Sequence, residues 1–224
     1  ETGAKKVQPM RIDIYSDTIC PWCYIGKRRL ERALAQRPDV QPEIHWRTFQ
    51  LNPWMPSAGV SRGEYLRAKF GADDAERIYN NIRGVGATEG IDFRFDLMER
   101  TPNTIDSHRL IAWSMAQPPA DAQGVLVEEL FQIYFLEGQD LGDREVLLAA
   151  VHRAGLDDDA AKRFLESEEL RDEVAAEDAS ARRIGIQGVP CFIVDGSYAI
   201  SGAQEPEYFL PLFDLISTGQ AAAE

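Results

Sequence analysis

The amino-acid sequence predicts an α/β fold that is interrupted by a large all-helical insertion. A strand, a helix and a second strand follow one another over residues 11–49, and two strands and a helix close the chain over residues 191–216. The intervening block of about 120 residues has helical periodicity through most of its length. Because the strands are split between the two ends of the chain, we expect one composite domain whose sheet is completed after the insertion.

The N-terminal part, residues 10–56, supplies the predicted β-α-β unit. Residues 11–16 form a short apolar run typical of a buried strand, and helical spacing extends from Cys20 to about Arg37. Apolar and polar residues then alternate over residues 43–49, which predicts a second strand.

The insertion, residues 57–184, is predicted to be helical. It opens with Ser61-Arg62-Gly63-Glu64, which has the form of a capping box before a helix that ends at Gly71. The later helical patterns cover residues 73–84, 104–116, 124–137, 143–154 and 168–184, the last with Leu170, Val174, Ala181 and Ile184 on one face. Between them, the alternating residues 91–95 predict a short extended segment.

The C-terminal part, residues 185–217, is predicted to return to the sheet. Residues 191–194 form a short apolar strand, Asp195-Gly196 is a hairpin signal, and residues 197–201 are expected to run back antiparallel. Pro206 then opens a terminal helix that extends through Ile216.

The composition excludes several classes of function. Lys and Arg number 24 against 37 Asp and Glu, and the net charge of −13 argues against nucleic acid or an anionic membrane as partner. No apolar run approaches the length of about 18 residues that spans a bilayer. Three cysteines are too few for a disulfide scaffold, and His45, His108 and His152 lack metal-ligand spacing, so no metal site is expected.

The first nine residues lack the apolar segment of a signal peptide. We therefore expect a cytoplasmic protein, in which a pair of thiols is kept mainly reduced. The alternative is an exported protein whose signal peptide is not part of this sequence. A homodimer is compatible with either location.

The motif Cys20-Pro21-Trp22-Cys23 carries the candidate chemistry. It lies where the first strand ends and the first helix begins, and the unpaired N–H groups of a helix start favour a thiolate over a thiol. A thiolate attacks disulfides, and a second thiol one turn along can resolve the mixed disulfide. We therefore assign Cys20 as the exposed attacking sulfur and Cys23 as the buried resolving sulfur. Pro21 and Trp22 form the active-site loop and help to set how far the reduced thiolate is stabilised.

With these residues in view, the chain resembles the DsbA-like branch of the thioredoxin superfamily and, more narrowly, the FrnE-type oxidoreductases. The matching stretches are residues 13–17 (DIYSD), 20–28 (CPWCYIGKR), Asn103-Thr104 with His108, 188–190 (GVP) and 201–204 (SGAQ). The likeness runs from about Arg11 to Phe213. It implies a thioredoxin-like fold with a redox-active Cys20–Cys23 disulfide and no bound cofactor.

The resemblance adds further residues to the candidate site. It implies a cis bond between Val189 and Pro190 that faces the motif, so that Val189 offers its backbone to an extended substrate. Asn103 and His108 match a helix-start motif of the family, the alternatives being an ordinary N-cap and a packed or surface residue. Gln204 lies in a loop that is a candidate contact for glutathione.

Two other residues have two interpretations each. Asp13 is a candidate buried acid that relays a proton to Cys23, and the alternative is a surface or turn role. Cys191 follows the cis-proline position and is either a small buried hydrophobe or a third redox thiol in contact with Cys20 or Cys23.

We expect a thiol–disulfide oxidoreductase that acts on protein substrates or small thiols. One alternative is a glutathione-dependent isomerase or transferase of the kappa-class type, with glutathione as co-substrate. Proteins of that class carry a serine where Cys20 stands, so the two cysteines favour dithiol chemistry. The other alternative is a redox-regulated binding protein or chaperone that holds its partner with the helical insertion.

Overall fold

A computed structural model describes residues 10–71 and 74–221. Its strands are β1 (Arg11–Ser16), β2 (Glu43–Thr48), β3 (Val60–Ser61), β4 (Arg100–Thr101), β5 (Cys191–Val194) and β6 (Tyr198–Ser201). Its α-helices are α1 (Pro21–Ala35), α2 (Arg62–Phe70), α3 (Ala75–Thr88), α4 (Ile105–Ser114), α5 (Ala122–Phe135), α6 (Arg144–Arg153), α7 (Asp158–Glu166), α8 (Arg171–Arg183) and α9 (Leu210–Ala221). Short 3-10 helices cover Phe95–Leu97 and Pro206–Tyr208.

A four-stranded sheet in the order β2-β1-β5-β6 brings the two ends of the chain together. β1 lies parallel to β2 and antiparallel to β5, and β6 runs antiparallel to β5. In this register Tyr15, near the end of β1, aligns with Cys191 at the start of β5. The segment that leads into the CxxC motif therefore lies beside the Val189–Pro190 segment that leads into β5.

Alternate residues of β5 face opposite layers of the protein. Phe192 and Val194 belong to the main core, together with Cys23 and the apolar side of α1. Cys191 points to the other face of the sheet. The second core cluster on that face consists of Phe49, Ala181, Ile186 and Cys191.

Aromatic side chains join α1 to the insertion. The Tyr24 side chain is buried and stacks on Phe131 of α5, with ring centroids 5.0 Å apart. Phe135, one turn further along α5, stacks on the same ring at 6.2 Å. Aromatic pairs of this kind add to the free energy gained by burying their large apolar area. The helix that carries the motif is thus packed against the insertion through its first turn.

Ion pairs fasten the same interface. Glu128 of α5 lies 2.6 Å from Lys27 Nζ and 2.5 Å from Arg28 Nη2. The Tyr24 hydroxyl donates to the same carboxylate at 2.9 Å. Burial alone would raise the pKa of Glu128, but the hydrogen bonds from Gln132 and the cations of α1 outweigh it and lower this pKa to about 2.

A buried arginine connects α1 with both α3 and the C-terminal part. Arg29 donates to Glu89 Oε1 at 2.8 Å and to the carbonyl of Ala203 at 2.6 Å. The Glu89 side chain is only 2% exposed, and Arg32 also donates to it at 2.7 Å. Removing Glu89 would take away the buried partner of Arg29, and removing Arg29 would leave Glu89 with only the exposed Arg32, so these contacts help to fix the position of α1.

The predicted fold class, an α/β fold with a large helical insertion, is confirmed. The predicted capping box is present, since Ser61 accepts from the Glu64 N–H and the Glu64 side chain accepts from Ser61. Asp73, where a helix is predicted to begin, lies outside the described residues. The division into residues 10–56, 57–184 and 185–217 stays a prediction.

Three details of the insertion differ from the predictions. Residues 91–95 form no strand. Phe93 and Phe95 are both buried in the core, where their rings stack at 4.8 Å, and this explains the alternation without a partner strand. Helix α7 is absent from the predicted helices, although Asp157 caps it by accepting from the Ala160 N–H. Ile184 is 61% exposed because α8 ends at the preceding residue.

The Glu128 contacts predict a pH-dependent contribution to stability. Because the folded-state pKa lies below the usual value, the contribution is complete above about pH 4.5 and is lost as the pH falls toward 2. Glu128→Gln should therefore lower the free energy of unfolding by about 1–3 kcal/mol at pH 7 and by much less near pH 2, measured by urea unfolding.

The neighbouring Glu129 provides the matched control. Burial, with Arg153 opposing and nearby carboxylates adding, raises the pKa of Glu129. Glu129→Gln should leave the protein equally or slightly more stable at pH 7. An equal loss for both variants would contradict the assignment.

Candidate active site

Cys20 is the N-cap residue of α1. It has an extended backbone (φ −93°, ψ 110°), and Pro21 occupies the first turn, where a missing N–H costs nothing. The Cys20 N–H donates to the Asp17 carbonyl at 3.0 Å, and the Cys23 N–H donates to the Cys20 carbonyl at 3.0 Å. The first sulfur is thereby placed at the positive end of the helix.

The prediction that Cys20 is exposed is wrong. The residue is only 4% exposed. Its thiol donates to the carbonyl of Val189 at 3.6 Å, so the segment before β5 covers the sulfur. In this dithiol state, the Val189 carbonyl, which belongs to the backbone predicted to bind a substrate, accepts a hydrogen bond from Cys20 itself.

Cys23 is buried one turn further along, at 1% exposure. Burial raises the pKa of the Cys23 thiol well above its usual value, and the hydrogen bond and charge of Cys20 raise it further. Two groups act in the opposite direction: the Ser16 side chain and the main chain of Asp17 hydrogen-bond to this sulfur. The balance of these effects therefore keeps the Cys23 thiol protonated in the dithiol state.

The Val189–Pro190 segment packs directly on α1. Its peptide bond is cis, and the Pro190 carbonyl accepts from the Gly202 N–H at 2.8 Å. A Cβ on Gly26 would lie 2.8 Å from Pro190 Cγ and 3.2 Å from Phe192 Cζ. Only glycine at position 26 allows this approach between the helix and the segment.

Helix α4 holds the turn before the motif. His108 Nε2 lies 3.2 Å from Asp17 Oδ1, and both side chains are almost completely buried. The other carboxylate oxygen of Asp17 accepts from the Leu51 N–H at 2.7 Å. One residue on, the Thr18 and Ser107 hydroxyls are 2.8 Å apart.

Asn103 acts at the start of α4 and not at the sulfurs. Its Oδ1 accepts from the Ile105 N–H at 2.9 Å, and its Nδ2 donates to the Met55 carbonyl at 2.6 Å. These contacts fit the alternative in which Asn103 caps the start of a helix and has no role at the sulfurs. Gln204 is exposed, and its amide donates to the Ser201 carbonyl at 2.9 Å.

The prediction of Asp13 as a proton relay to Cys23 is wrong. Asp13 lies on the other face of β1 from the core-facing Ile12 and Ile14, and it binds Arg11 at 2.9 Å and Arg47 at 2.6 Å. Burial alone would raise the pKa of Asp13, but these two arginines lower it below the usual value. The carboxylate is a structural ion-pair partner.

Cys191 is a small buried hydrophobe. It faces the second core cluster, on the side of the sheet opposite to Cys23, and burial raises the pKa of its thiol. The redox interpretation required contact with Cys20 or Cys23, and the alternation of β5 directs the side chain away from both.

The sequence-based predictions give no role to Ser16, Asp17, Gly26 or Lys69. Lys69 of α2 lies 2.6 Å from the Tyr65 hydroxyl and 5.4 Å from the Phe70 ring centroid. Burial would lower the pKa of Lys69, but Tyr65 and further charges that include Cys20 raise it. Tyr65 and these charges therefore hold Lys69 in its charged form.

Residues 11–213 match the DSBA-like thioredoxin domain family. The chain belongs to this family. It is similar to a probable DsbA oxidoreductase of Streptomyces coelicolor, at 32% identity with a TM-score of 0.81 over 91% of this chain and 88% of that chain. YwbO, an uncharacterized protein of Bacillus subtilis, is 26% identical over 204 residues, which are 89% of this chain and 94% of that protein.

The fold is also that of the cytosolic disulfide reductase DsbM from Pseudomonas aeruginosa, at 18% identity with a TM-score of 0.64 over 93% of this chain and 99% of that chain. Among residues 10–71 and 74–221, no helix is sufficiently long and apolar to cross a membrane. Within the part of the chain that the structure describes, no group of three His, Cys, Asp or Glu side chains is placed to hold a metal ion.

The close approach at Gly26 predicts a specific loss of stability. Gly26→Ala should lower the free energy of unfolding by about 1–3 kcal/mol, because its new methyl group collides with Pro190 and Phe192. Gly84→Ala, in an exposed part of α3 with no atom near the new methyl group, should instead raise it by about 0.5–1 kcal/mol. Urea unfolding measures both, and a stable Gly26→Ala protein would contradict the packing.

The placement of Cys191 predicts that it takes no part in disulfide exchange. Cys191→Ala should keep the wild-type rate of reaction with glutathione disulfide within about twofold and lose about 1 kcal/mol of stability. Stopped-flow tryptophan fluorescence and urea unfolding measure the two effects. A large loss of rate in a stable variant would restore the redox interpretation.

Proposed function

We propose that this DsbA-like protein is a thiol–disulfide oxidoreductase in which Cys20 attacks and Cys23 resolves. The observation that carries the proposal is the arrangement of the two thiols, one at the start of α1 and the other buried within hydrogen-bonding reach of it. The Cys20 sulfur lies at the positive end of α1, where negative charge that develops during exchange is stabilised. The buried partner is kept protonated and available.

The exchange proceeds in two balanced steps. The Cys20 thiolate attacks a disulfide R–S–S–R′, forms a Cys20–S–R bond and releases R′S⁻. Cys23 then loses its proton, its sulfur attacks the Cys20 sulfur, and RS⁻ leaves and takes up a proton. The substrate disulfide gains the two electrons that the protein dithiol loses, and the reverse sequence oxidises a substrate dithiol.

Binding of the substrate involves the segment before β5. The Val189 carbonyl accepts from the Cys20 thiol in the dithiol state. An extended substrate can compete for this acceptor with its own N–H, in the manner of strand addition. The same exchange would uncover the Cys20 sulfur, which is buried until a partner arrives.

We propose small thiols such as glutathione as one substrate class, beside protein disulfides. The low exposure of Cys20 favours a slender partner over a folded protein surface. DsbM from Pseudomonas aeruginosa, which has the same fold, is described as cytosolic and was solved with glutathione. We accordingly propose a reducing compartment, the cytoplasm, for this chain.

The role of Cys23 can be tested by turnover. The wild-type protein should catalyse insulin reduction by dithiothreitol, whereas Cys23→Ser should abolish this turnover and accumulate a stable glutathione adduct on Cys20, detected by mass spectrometry. Cys20→Ser should form no adduct.

Two outcomes would contradict the proposal. Glutathione-transfer activity that survives fully in Cys23→Ser would favour the kappa-class alternative. A wild-type protein with reactive thiols and no activity in insulin reduction, in oxidation of reduced ribonuclease or in reduction of glutathione disulfide would favour a binding protein.

A further inference from the structure

Helix α4 contains a buried imidazole that the two exchange steps do not use. His108 is 2% exposed, and its Nε2 lies 3.2 Å from a carboxylate oxygen of Asp17, which is itself 0% exposed. A carboxylate only accepts hydrogen bonds, so the imidazole N–H donates. The second oxygen is occupied by the Leu51 N–H at 2.7 Å.

The main chain of Asp17 faces both sulfur-bearing residues. Its carbonyl accepts from the Cys20 N–H at 3.0 Å. The Asp17 main-chain N–H is the donor on the side of the Cys23 sulfur, and its hydrogen bond favours the thiolate against the effect of burial. Because both oxygens of the Asp17 side chain are held, the movement of the whole residue, its peptide groups included, is restricted.

We propose that His108 is a positioning residue for the resolving step: by holding the Asp17 carboxylate, it keeps the turn at residues 16–20 in the conformation that stabilises the Cys23 thiolate. This inference rests on the proposed function. The inference assigns a role in the exchange reaction to the helix-start motif Asn103-Thr104 with His108. Asn103 fixes the start of α4, and His108 extends from the first turn of that helix to the turn before Cys20.

The proposal concerns one step only. Attack by Cys20 on a disulfide does not require charge on Cys23. Resolution does, because the Cys23 proton must leave before its sulfur displaces RS⁻ from Cys20. Loss of the His108 contact should therefore slow resolution more than the first attack.

The experiment follows both steps in the reduced full-length protein mixed with glutathione disulfide. Acid quenching and mass spectrometry give the rate at which the Cys20–glutathione adduct forms and the rate at which it decays to the Cys20–Cys23 disulfide. The quantity compared is the ratio of the decay rate to the formation rate.

Three substitutions separate the hydrogen bond from the bulk of the side chain. His108→Leu removes the donor, and His108→Asn carries an amide that is too short to reach Asp17. His108→Gln places its amide nitrogen near the position of Nε2. The ratio should fall about tenfold in the Leu and Asn variants, equivalent to about 1.4 kcal/mol, and should stay within about threefold of wild type in the Gln variant. The pH at which decay reaches its maximum should rise in the two variants that lose the donor.

Ser114→Ala is the matched control. Ser114 also lies on α4 and is completely buried, but its hydroxyl donates to the Ile111 carbonyl of the same helix at 2.8 Å. Its ratio should equal that of the wild type. If His108→Leu fails to fold, the comparison of the Asn and Gln variants still shows whether the hydrogen bond to Asp17 acts on the resolving step.

The role of His108 and the proposed function would be overturned by different outcomes. An unchanged ratio in the Asn variant, or a ratio that falls in the Gln and Ser114→Ala variants as far as it falls in the Asn variant, would overturn the role of His108. A wild-type protein that forms no adduct, or whose adduct never decays to a disulfide, would overturn the proposed function itself.

Discussion

The Asp17 carboxylate has no contact with solvent, and the geometry of the active site depends on how that charge is held. A buried carboxylate is costly unless donors surround it. Here the Leu51 amide and the His108 ring supply them from two separate parts of the chain. Because the side chain is fixed, the main chain of the same residue is also fixed, and it positions Cys20 directly and Cys23 one turn later.

The helical insertion belongs to the redox site. It contributes His108 beneath the turn, and Glu128 and Glu89 as partners of the cations of α1. His108 lies on α4, Glu128 on α5 and Glu89 directly after α3, so three parts of the insertion hold α1 and the turn before it. The sheet contributes the opposite wall through the segment before β5, which covers Cys20.

The split α/β fold could be predicted because strand and helix periodicity report which faces are buried. The CxxC motif could be placed at the start of α1 for the same reason. Asp13 shows the limit of this reasoning: its neighbours in sequence suggest a buried acid, but its partner Arg47 comes from β2, and only the register reveals it. His108 was a candidate only through the family resemblance, because its contact with Asp17 spans 91 positions of sequence and no local pattern encodes that distance. The burial of Cys20 was likewise set by a segment that is remote in sequence.

The most direct test is the redox equilibrium of the native protein with glutathione buffers, followed by acid quenching, alkylation and peptide mass spectrometry. The account predicts a single two-electron transition that joins the peptides of Cys20 and Cys23, while Cys191 remains an unmodified thiol throughout. A disulfide that includes Cys191, or thiols at Cys20 and Cys23 that stay reduced across all buffers, would contradict it.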